Sequence, residues 1–394
     1  MDIVYLSNFF NHHQKPLADE FYQSTNHHFW FVETQPMPES FKKTGYTEYK
    51  EPYVLRYSDD NKENIEQLIL EADAVIIGQA PTSMIKKRVE KGKLLFRVSE
   101  RRYKSLLRYL KWPIYTYQSL LYNRGYLLAA SAYAARDYAL SGMKADKCYK
   151  WGYFTEFKTY ESIESLMAMK SQSREKNMSV SILWACRLIG WKHPEMAVKL
   201  AKRLKDDGYR FKMKIAGRGP LEGALQAMIN DYGIADYVSL IGPQKQEVLR
   251  TLMEKCDIFL ATSDQNEGWG ATVNESMNSG CAVVASHAIG AVPFLIEDGK
   301  NGLVFKSKDV DSLYSKVIWL IEHPDEISKL GRNAYYTMRD VWNADVASSN
   351  LLKLVEALKK GIEPDIQYGP CSRAEIINHT DYNQANARSC LVEK

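Results

Sequence analysis

The stretch NEGWGATVNESMNSG, from Asn266 to Gly280, constrains this chain more than any other. In front of it, Cys256 to Thr262 is a short apolar run bounded by polar residues, which predicts a buried strand. Behind it, Cys281 to Ser286 predicts another. Between the two lie a glycine-bearing loop and a helix starting near Ala271. A strand, loop, helix, strand order builds a parallel sheet, and its loops gather at the carboxyl ends of the strands, where ligands bind. The first turn of the helix offers unpaired N–H groups and a positive dipole end to an anion.

Two carboxylates frame this unit, Glu267 on the loop and Glu275 about one turn into the helix. A carboxylate accepts a bidentate pair of hydroxyl hydrogen bonds, and sugars and riboses present vicinal hydroxyls. Two carboxylates flanking an anion site therefore suit a nucleotide sugar. Taken alone, the pair also reads as a helix-start glutamate and an exposed loop residue. The flanking sequence decides between the two.

Upstream, apolar runs recur with helical segments between them. Strands are expected at Val180 to Ala185, Phe211 to Ala216 and Val238 to Ile241, with helices at Pro194 to Leu204, Leu221 to Tyr232 and Gln246 to Lys255. Gly208, Gly233 and Gly280 stand where helices should end. The strand-end loops then carry ligand-type residues in succession: Arg187 with Lys192, then Gly217-Arg218-Gly219-Pro220, then Gly242-Pro243-Gln244, then the two-glutamate unit. Arg187 and Lys192 form a pair of cations suited to a diphosphate. The glycines around Arg218 permit close backbone approach. Any one of these loops is explicable as surface; all of them at one edge of one sheet point to a ligand.

The first half alternates in the same way. Strands are expected at Asp2 to Ser7, His28 to Glu33, Ala74 to Gly78, Lys93 to Val98 and Tyr126 to Ala130, with helices at Pro16 to Gln23, Asn61 to Ala72 and Ala132 to Leu140. In a parallel sheet the loop after the first strand faces the carboxyl edge, which makes Asn11, His12 and His13 candidate substrate contacts, with Glu100 after the Lys93 strand. Around Phe157 to Met178 no strong apolar face is visible, and this is the best linker. Residues after Gly361 are polar without period and read as a loosely ordered tail.

Composition narrows the setting. The chain has 394 residues, enough for two domains with full cores, at 45% hydrophobic and 25% charged. Its six Cys show no CxxC or His/Cys clustering and read as buried thiols in a reducing compartment. No secretory leader opens the sequence and no run of about 20 apolar residues occurs, so a cytoplasmic protein is expected. The net charge of +4 is unevenly spread, about −7 over residues 1–80 and about +12 over 81–150. Residues 85–112 mix basic, apolar and aromatic side chains, which predicts peripheral docking on anionic headgroups rather than on nucleic acid.

At Cys186-Arg187-Leu188 with Lys192, Ile215 to Pro220, Leu240-Ile241-Gly242, Asp257 to Ser263, Glu267 to Gly270, Glu275-Ser276-Met277, Gly280, Val283 to Ser286 and Asp298 to Val304, the second half resembles the retaining glycosyltransferases of family 4. The resemblance covers about residues 178–360 and is weaker in the first half, chiefly at Ser131 to Gly152. It implies an α/β protein of GT-B fold: two facing Rossmann-like domains with parallel sheets and a cleft between them. The expected bounds are 1–165 for an acceptor domain, 166–345 for a nucleotide-sugar domain, and 346–394 for a helix packing back towards the first domain plus a tail. It also implies catalytic roles for Glu267, Arg187 and Lys192. Gly217, Arg218, Pro243, Gln244, Gly268, Trp269, Gly270, Ala271, Thr272 and Glu275 would surround the donor. No cofactor or metal is expected, since the Arg/Lys pair and the helix dipole would stabilise the departing diphosphate.

The implied activity is sugar transfer from a nucleotide sugar, a UDP-sugar ahead of a GDP-sugar, to a saccharide or lipid-linked saccharide in bacterial envelope or capsular polysaccharide synthesis. The sequence departs from the family at Cys186, where glycine is usual, and at Asn11 to Lys15, where a glycine-rich loop is usual. Those departures keep one alternative open, an inactive transferase-like subunit that binds a sugar or a partner. A nicotinamide enzyme is disfavoured because no G-x-G-x-x-G follows the first strand.

Overall fold

The computed structural model describes residues 1–39, 48–102 and 125–383. It divides into two compact units, one formed by Met1–Glu156 with Val341–Ile376 and the other by Phe157–Asp340 with the chain from Ile377 on.

In the first unit the strands are β1 (Ile3–Ser7), β2 (Phe29–Glu33), β3 (Val54–Arg56), β4 (Ala74–Ile77), β5 (Leu95–Ser99), β6 (Tyr126–Ala129) and β7 (Cys148–Lys150). They form one parallel sheet in the order β3-β2-β1-β4-β5-β6-β7. The central strand β1 is buried along its length, as a parallel strand covered on both faces must be. β3 and β7 are only three residues long, too short to stand out from apolar periodicity. Helix Ala344–Lys360 belongs to this unit and packs on helix Lys15–Ser24.

The second unit holds β8 (Val180–Ala185), β9 (Phe211–Ala216), β10 (Val238–Gly242), β11 (Ile258–Ala261), β12 (Ala282–Ser286) and β13 (Leu303–Phe305), parallel in the order β10-β9-β8-β11-β12-β13. The chain runs outward from β8 to β10 and then returns to place β11 on the other side of β8. That reversal opens a crevice at the carboxyl ends of β8 and β11, the place where doubly wound sheets bind ligands.

Three readings of the sequence change. The linker expected at Phe157 to Met178 contains a helix, Ile163–Asn177. Its inward side carries Ile163, Leu166 and Met167 but also Lys170 and Arg174, so an apolar stripe is missing although the face is buried. The Lys170 ammonium donates to the carbonyls of Met253 (3.1 Å), Cys256 (2.7 Å) and Gly280 (3.0 Å). These acceptors lie at the ends of helices Gln246–Lys255 and Ala271–Asn278, so one cation closes two negative dipole ends. Arg174 reaches Asp257 at 2.7 Å, and that carboxylate also accepts from the Ser181 N–H at 2.8 Å.

The tail after Gly361 is anchored through residue 383. Cys371, Ser372, Ala374 and Ile377 are buried, and Ser372 O accepts from Lys150 N at 2.7 Å. Further on, the Tyr382 hydroxyl donates to Val304 O at 2.9 Å, in the second unit.

The basic segment 85–112 is only partly surface. Arg88 is 1% exposed and donates to the carbonyls of Ile69, Ala72 and Leu94. Arg101 and Arg102 are buried beside Asp137, whose carboxylate accepts from the Arg102 N–H at 2.7 Å. Arg88 thus holds backbone carbonyls, Arg101 Nε lies 3.8 Å from Asp137, and the Arg102 guanidinium lies 4.2 Å from the Tyr138 ring, so all three are turned inward. Residues 103–112 lie outside the described residues. Among the described residues no helix is long and apolar enough to cross a membrane.

Removing the Lys170 ammonium strands three buried carbonyls. Lys170→Met should lower the melting temperature by roughly 4–8 °C. A thermal melt that matches the parent would contradict the capping role.

Candidate active site

The loop leaving β8 is shaped by the loop leaving β9. Cys186 N donates to Ala216 O at 3.1 Å and Leu188 N to Arg218 O at 3.0 Å. Gly217 has φ +146°, and a Cβ there would stand 1.8 Å from Cys186 O; one at Gly219 would stand 2.3 Å from Leu188 O. Both glycines are therefore required by the contact between loops, before any ligand is considered.

The chain then makes a single turn at Gly190–Lys192 and enters helix Pro194–Asp206 through His193, whose φ is +49°. Trp184 Nε1 donates to Thr262 Oγ1 at 2.8 Å, and that hydroxyl donates to Lys192 O at 2.7 Å. Strands β8 and β11 thus fix Lys192 by its backbone. Its ammonium is paired with Glu267, whose carboxylate also accepts from Ser263 Oγ at 3.1 Å. Both side chains are largely buried, at 7% and 13% exposed.

Beside Glu267 lies a small concavity, open to solvent and bordered by Cys186, Ser263, Gly270, Thr272 and Ile289 among others. Gly270, with φ +99°, starts helix Ala271–Asn278, and a Cβ there would stand 2.7 Å from Ile289 Cγ2. Burial pushes the Cys186 thiol up from its ordinary value, opposed by the neighbouring Lys192. Sequence reasoning noted Cys186 only as a departure from a family pattern; its place on the wall depends on the fold.

The other expected donor residues are spread around this centre. Arg187 is exposed, with its guanidinium 5.6 Å from the Trp191 ring. Arg218 and Pro243 are exposed on neighbouring loops, and Gln244 donates to Ile241 O at 2.6 Å. Trp269, next to Gly268, is 1% exposed and its indole donates to Asn274 Oδ1 at 2.8 Å. The indole therefore supports the loop from inside.

Glu275 is half-buried, and no side chain among the described residues hydrogen-bonds its carboxylate. Burial pushes it up to about 7, partly offset by the charge of Arg250.

In the first unit, Asn11, His12, His13 and Glu100 come together through a residue that sequence reasoning missed. Asn11 Oδ1 accepts from His13 N at 2.9 Å, and the His12 and His13 rings are 4.0 Å apart. His13 stacks at 6.2 Å on Tyr153, whose hydroxyl donates to Glu100 Oε1 at 2.6 Å. Burial, aided by His12, brings His13 down to about 4, so it is neutral at physiological pH. Tyr153 follows β7, a strand too short to announce itself.

A second group missed by sequence joins three loops of the second unit. Asp264 accepts from Asn266 N and Nδ2, both at 2.9 Å, lies 3.2 Å from His193 Nε2 and pairs with Lys308 at 3.0 Å. His193 Nδ1 lies 2.8 Å from Glu195. Hydrogen bonds with Asp264 and Glu195 raise His193 to about 9. Burial works to raise Asp264, but its bonds with His193, Asn266 and Lys308 hold it well below the usual carboxylate range. A histidine directly after Lys192 and an aspartate just past a strand were the available signals. Among the described residues no cluster of three or more His, Cys, Asp or Glu is arranged to hold a metal.

The raised Glu275 carboxyl gives a signed prediction. Between about 4.5 and 7 the folded chain keeps a proton that the unfolded chain has released, so this group's stability contribution is lost as pH rises through that window. Glu275→Gln should therefore melt close to the parent at pH 4.5 and above it at pH 8. Equal melting temperatures at pH 8 would contradict the burial of an unpaired carboxylate.

Residues 168–337 match the family model described as glycosyl transferases group 1. The amylovoran biosynthesis glycosyltransferase AmsK of Erwinia amylovora is 29% identical over 182 residues, covering 45% of this chain and 44% of that protein. WcaL of Escherichia coli K12, named for colanic acid biosynthesis, is 26% identical over 185 residues, covering 45% of each chain. The chain thus spans under half the length of these relatives. Among solved structures, Anabaena Alr3699/HepE in complex with UDP and glucose superposes with a TM-score of 0.62 at 16% identity, covering 91% of this chain and all of that one. At that identity the likeness establishes the fold, which is GT-B. Residues 168–337 thus resemble a group 1 glycosyltransferase domain, within a chain of two doubly wound units that has the GT-B fold.

Proposed function

We propose that the protein transfers a sugar, with retention of configuration, from a nucleotide sugar to a saccharide or lipid-linked saccharide acceptor in bacterial envelope or capsular polysaccharide synthesis. The observation that carries this reading is the buried Lys192–Glu267 pair at the β8/β11 switch, whose Glu267 borders a concavity that reaches the start of helix Ala271–Asn278. An ammonium and a helix N-terminus that both adjoin Glu267 suit a diphosphate. The names of AmsK and WcaL support the polysaccharide setting, and the UDP in the Anabaena structure supports a UDP-sugar over a GDP-sugar.

In this mechanism Lys192 exchanges Glu267 for the donor diphosphate, and Arg187 swings in as the second cation. Together with the N–H groups of Ala271 and Thr272 they take up the charge that develops on the leaving nucleoside diphosphate, without a metal. Glu267, released, accepts hydrogen bonds from the hydroxyls of the transferred sugar. Glu275 holds the ribose diol, and the backbone near Pro243 and Gln244 lies against the base. The acceptor hydroxyl attacks on the face the diphosphate leaves, and the departing phosphate oxygen takes its proton.

Asn11, His12, His13 and Glu100 are the acceptor contacts in the first unit. Among the described residues of segment 85–112, the exposed Lys86, Lys87 and Lys91 would meet an anionic lipid surface on the cytoplasmic side.

Calorimetric titration with UDP and GDP, with and without Mg²⁺, tests the donor site. UDP should bind more tightly than GDP and without Mg²⁺, and Arg187→Ala and Glu275→Ala should each weaken it about ten-fold or more. Binding of neither nucleotide would overturn the reading and favour a binding subunit.

A further inference from the structure

Lys192 and Glu267 follow different strands, Lys192 at the end of the single turn Gly190–Lys192 and Glu267 on an irregular loop. The group that ties them together is Asp264. Its backbone N–H donates to Trp191 O at 3.0 Å, directly before Lys192, and its carbonyl accepts from Glu267 N at 3.0 Å. Its buried carboxylate faces His193 Nε2 at 3.2 Å, directly after Lys192. The same carboxylate takes two hydrogen bonds from Asn266, directly before Glu267. Asp264 therefore grips the residues on either side of Lys192 and the residue before Glu267.

We propose that Asp264 and His193 are positioning residues which lock the Lys192 and Glu267 loops in register for the donor diphosphate; this rests on the donor reading above. The charged groups facing the His193 ring are Asp264 from the β11 loop and Glu195 from its own helix, with Lys308 from the β13 loop on the far side of Asp264. His193 enters its helix with φ +49°, a conformation disfavoured for a residue with a side chain and kept here by contacts on both ring nitrogens. Both side chains hold residues that flank Lys192 and Glu267, so their effect on a ligand passes through those neighbours.

The test is UDP titration of the full chain and of Asp264→Asn, His193→Gln and the double variant, across pH 7 to 10. Each single variant should weaken UDP by about ten-fold, as expected for a misplaced binding group. The double variant should be no weaker than the worse single one, because both changes release the same lock. In the parent, the affinity should also fall as pH rises through about 9 and His193 loses its charge, and that fall should be absent in His193→Gln. A purely structural role would move the melting temperature without producing this pH difference. If Asp264→Asn does not fold, the pH profile of His193→Gln alone decides. Parent-like affinities and pH profiles in the variants would overturn the lock and leave the donor site standing. A parent that binds no UDP would remove the donor site and the lock with it.

Discussion

Strands β8 and β11 run side by side although two strands and their helices separate them in sequence, and the chemistry of the second unit depends on that adjacency. In register, Ile258 lies opposite Ile182 and Leu260 opposite Trp184, so both strands end at the same height. The loop that carries Lys192 then meets the loop that carries Glu267. The Trp184–Thr262–Lys192 chain of hydrogen bonds runs from one strand to the other within the buried core, which makes it rigid and sensitive to register. A slip of one residue would turn Trp184 and Thr262 to opposite faces and undo the site.

The electrostatics of the site follow from burial. An ammonium with 7% exposure cannot stand alone, and in the unliganded chain Glu267 neutralises it. An incoming anion must therefore replace a carboxylate, and a sugar with hydroxyls to offer can satisfy that carboxylate at the same time. On the proposed donor reading, such an exchange leaves the ammonium paired with phosphate and the carboxylate hydrogen-bonded to hydroxyls, and disfavours inorganic anions that bring none. Among the described residues Glu275 has no comparable partner, and its carboxyl is raised instead.

The strand and helix order was largely legible in the sequence because apolar runs bounded by glycine and polar residues are a local signal. Gly217 and Gly219 were legible as positions of close approach, but that their neighbour is the β8 loop was not. What escaped was non-local. His193 and Asp264 are distant in sequence and meet only through the β8/β11 pairing, and Tyr153 meets Glu100 only through the first sheet. Helix Ile163–Asn177 escaped because Lys170 and Arg174 face inward, where a periodicity argument looks for apolar residues. Arg88, Arg101 and Arg102 escaped for the same reason, as buried charges that composition counts as surface.

A crystal structure of the protein with UDP tests the central claim most directly. The account predicts the diphosphate at the carboxyl end of β8 and β11, with Lys192 turned from Glu267 to a phosphate oxygen, the Ala271 and Thr272 N–H groups pointing at it, and Glu275 against the ribose. A diphosphate bound elsewhere, or one bound here while Lys192 and Glu267 stay paired, would contradict it.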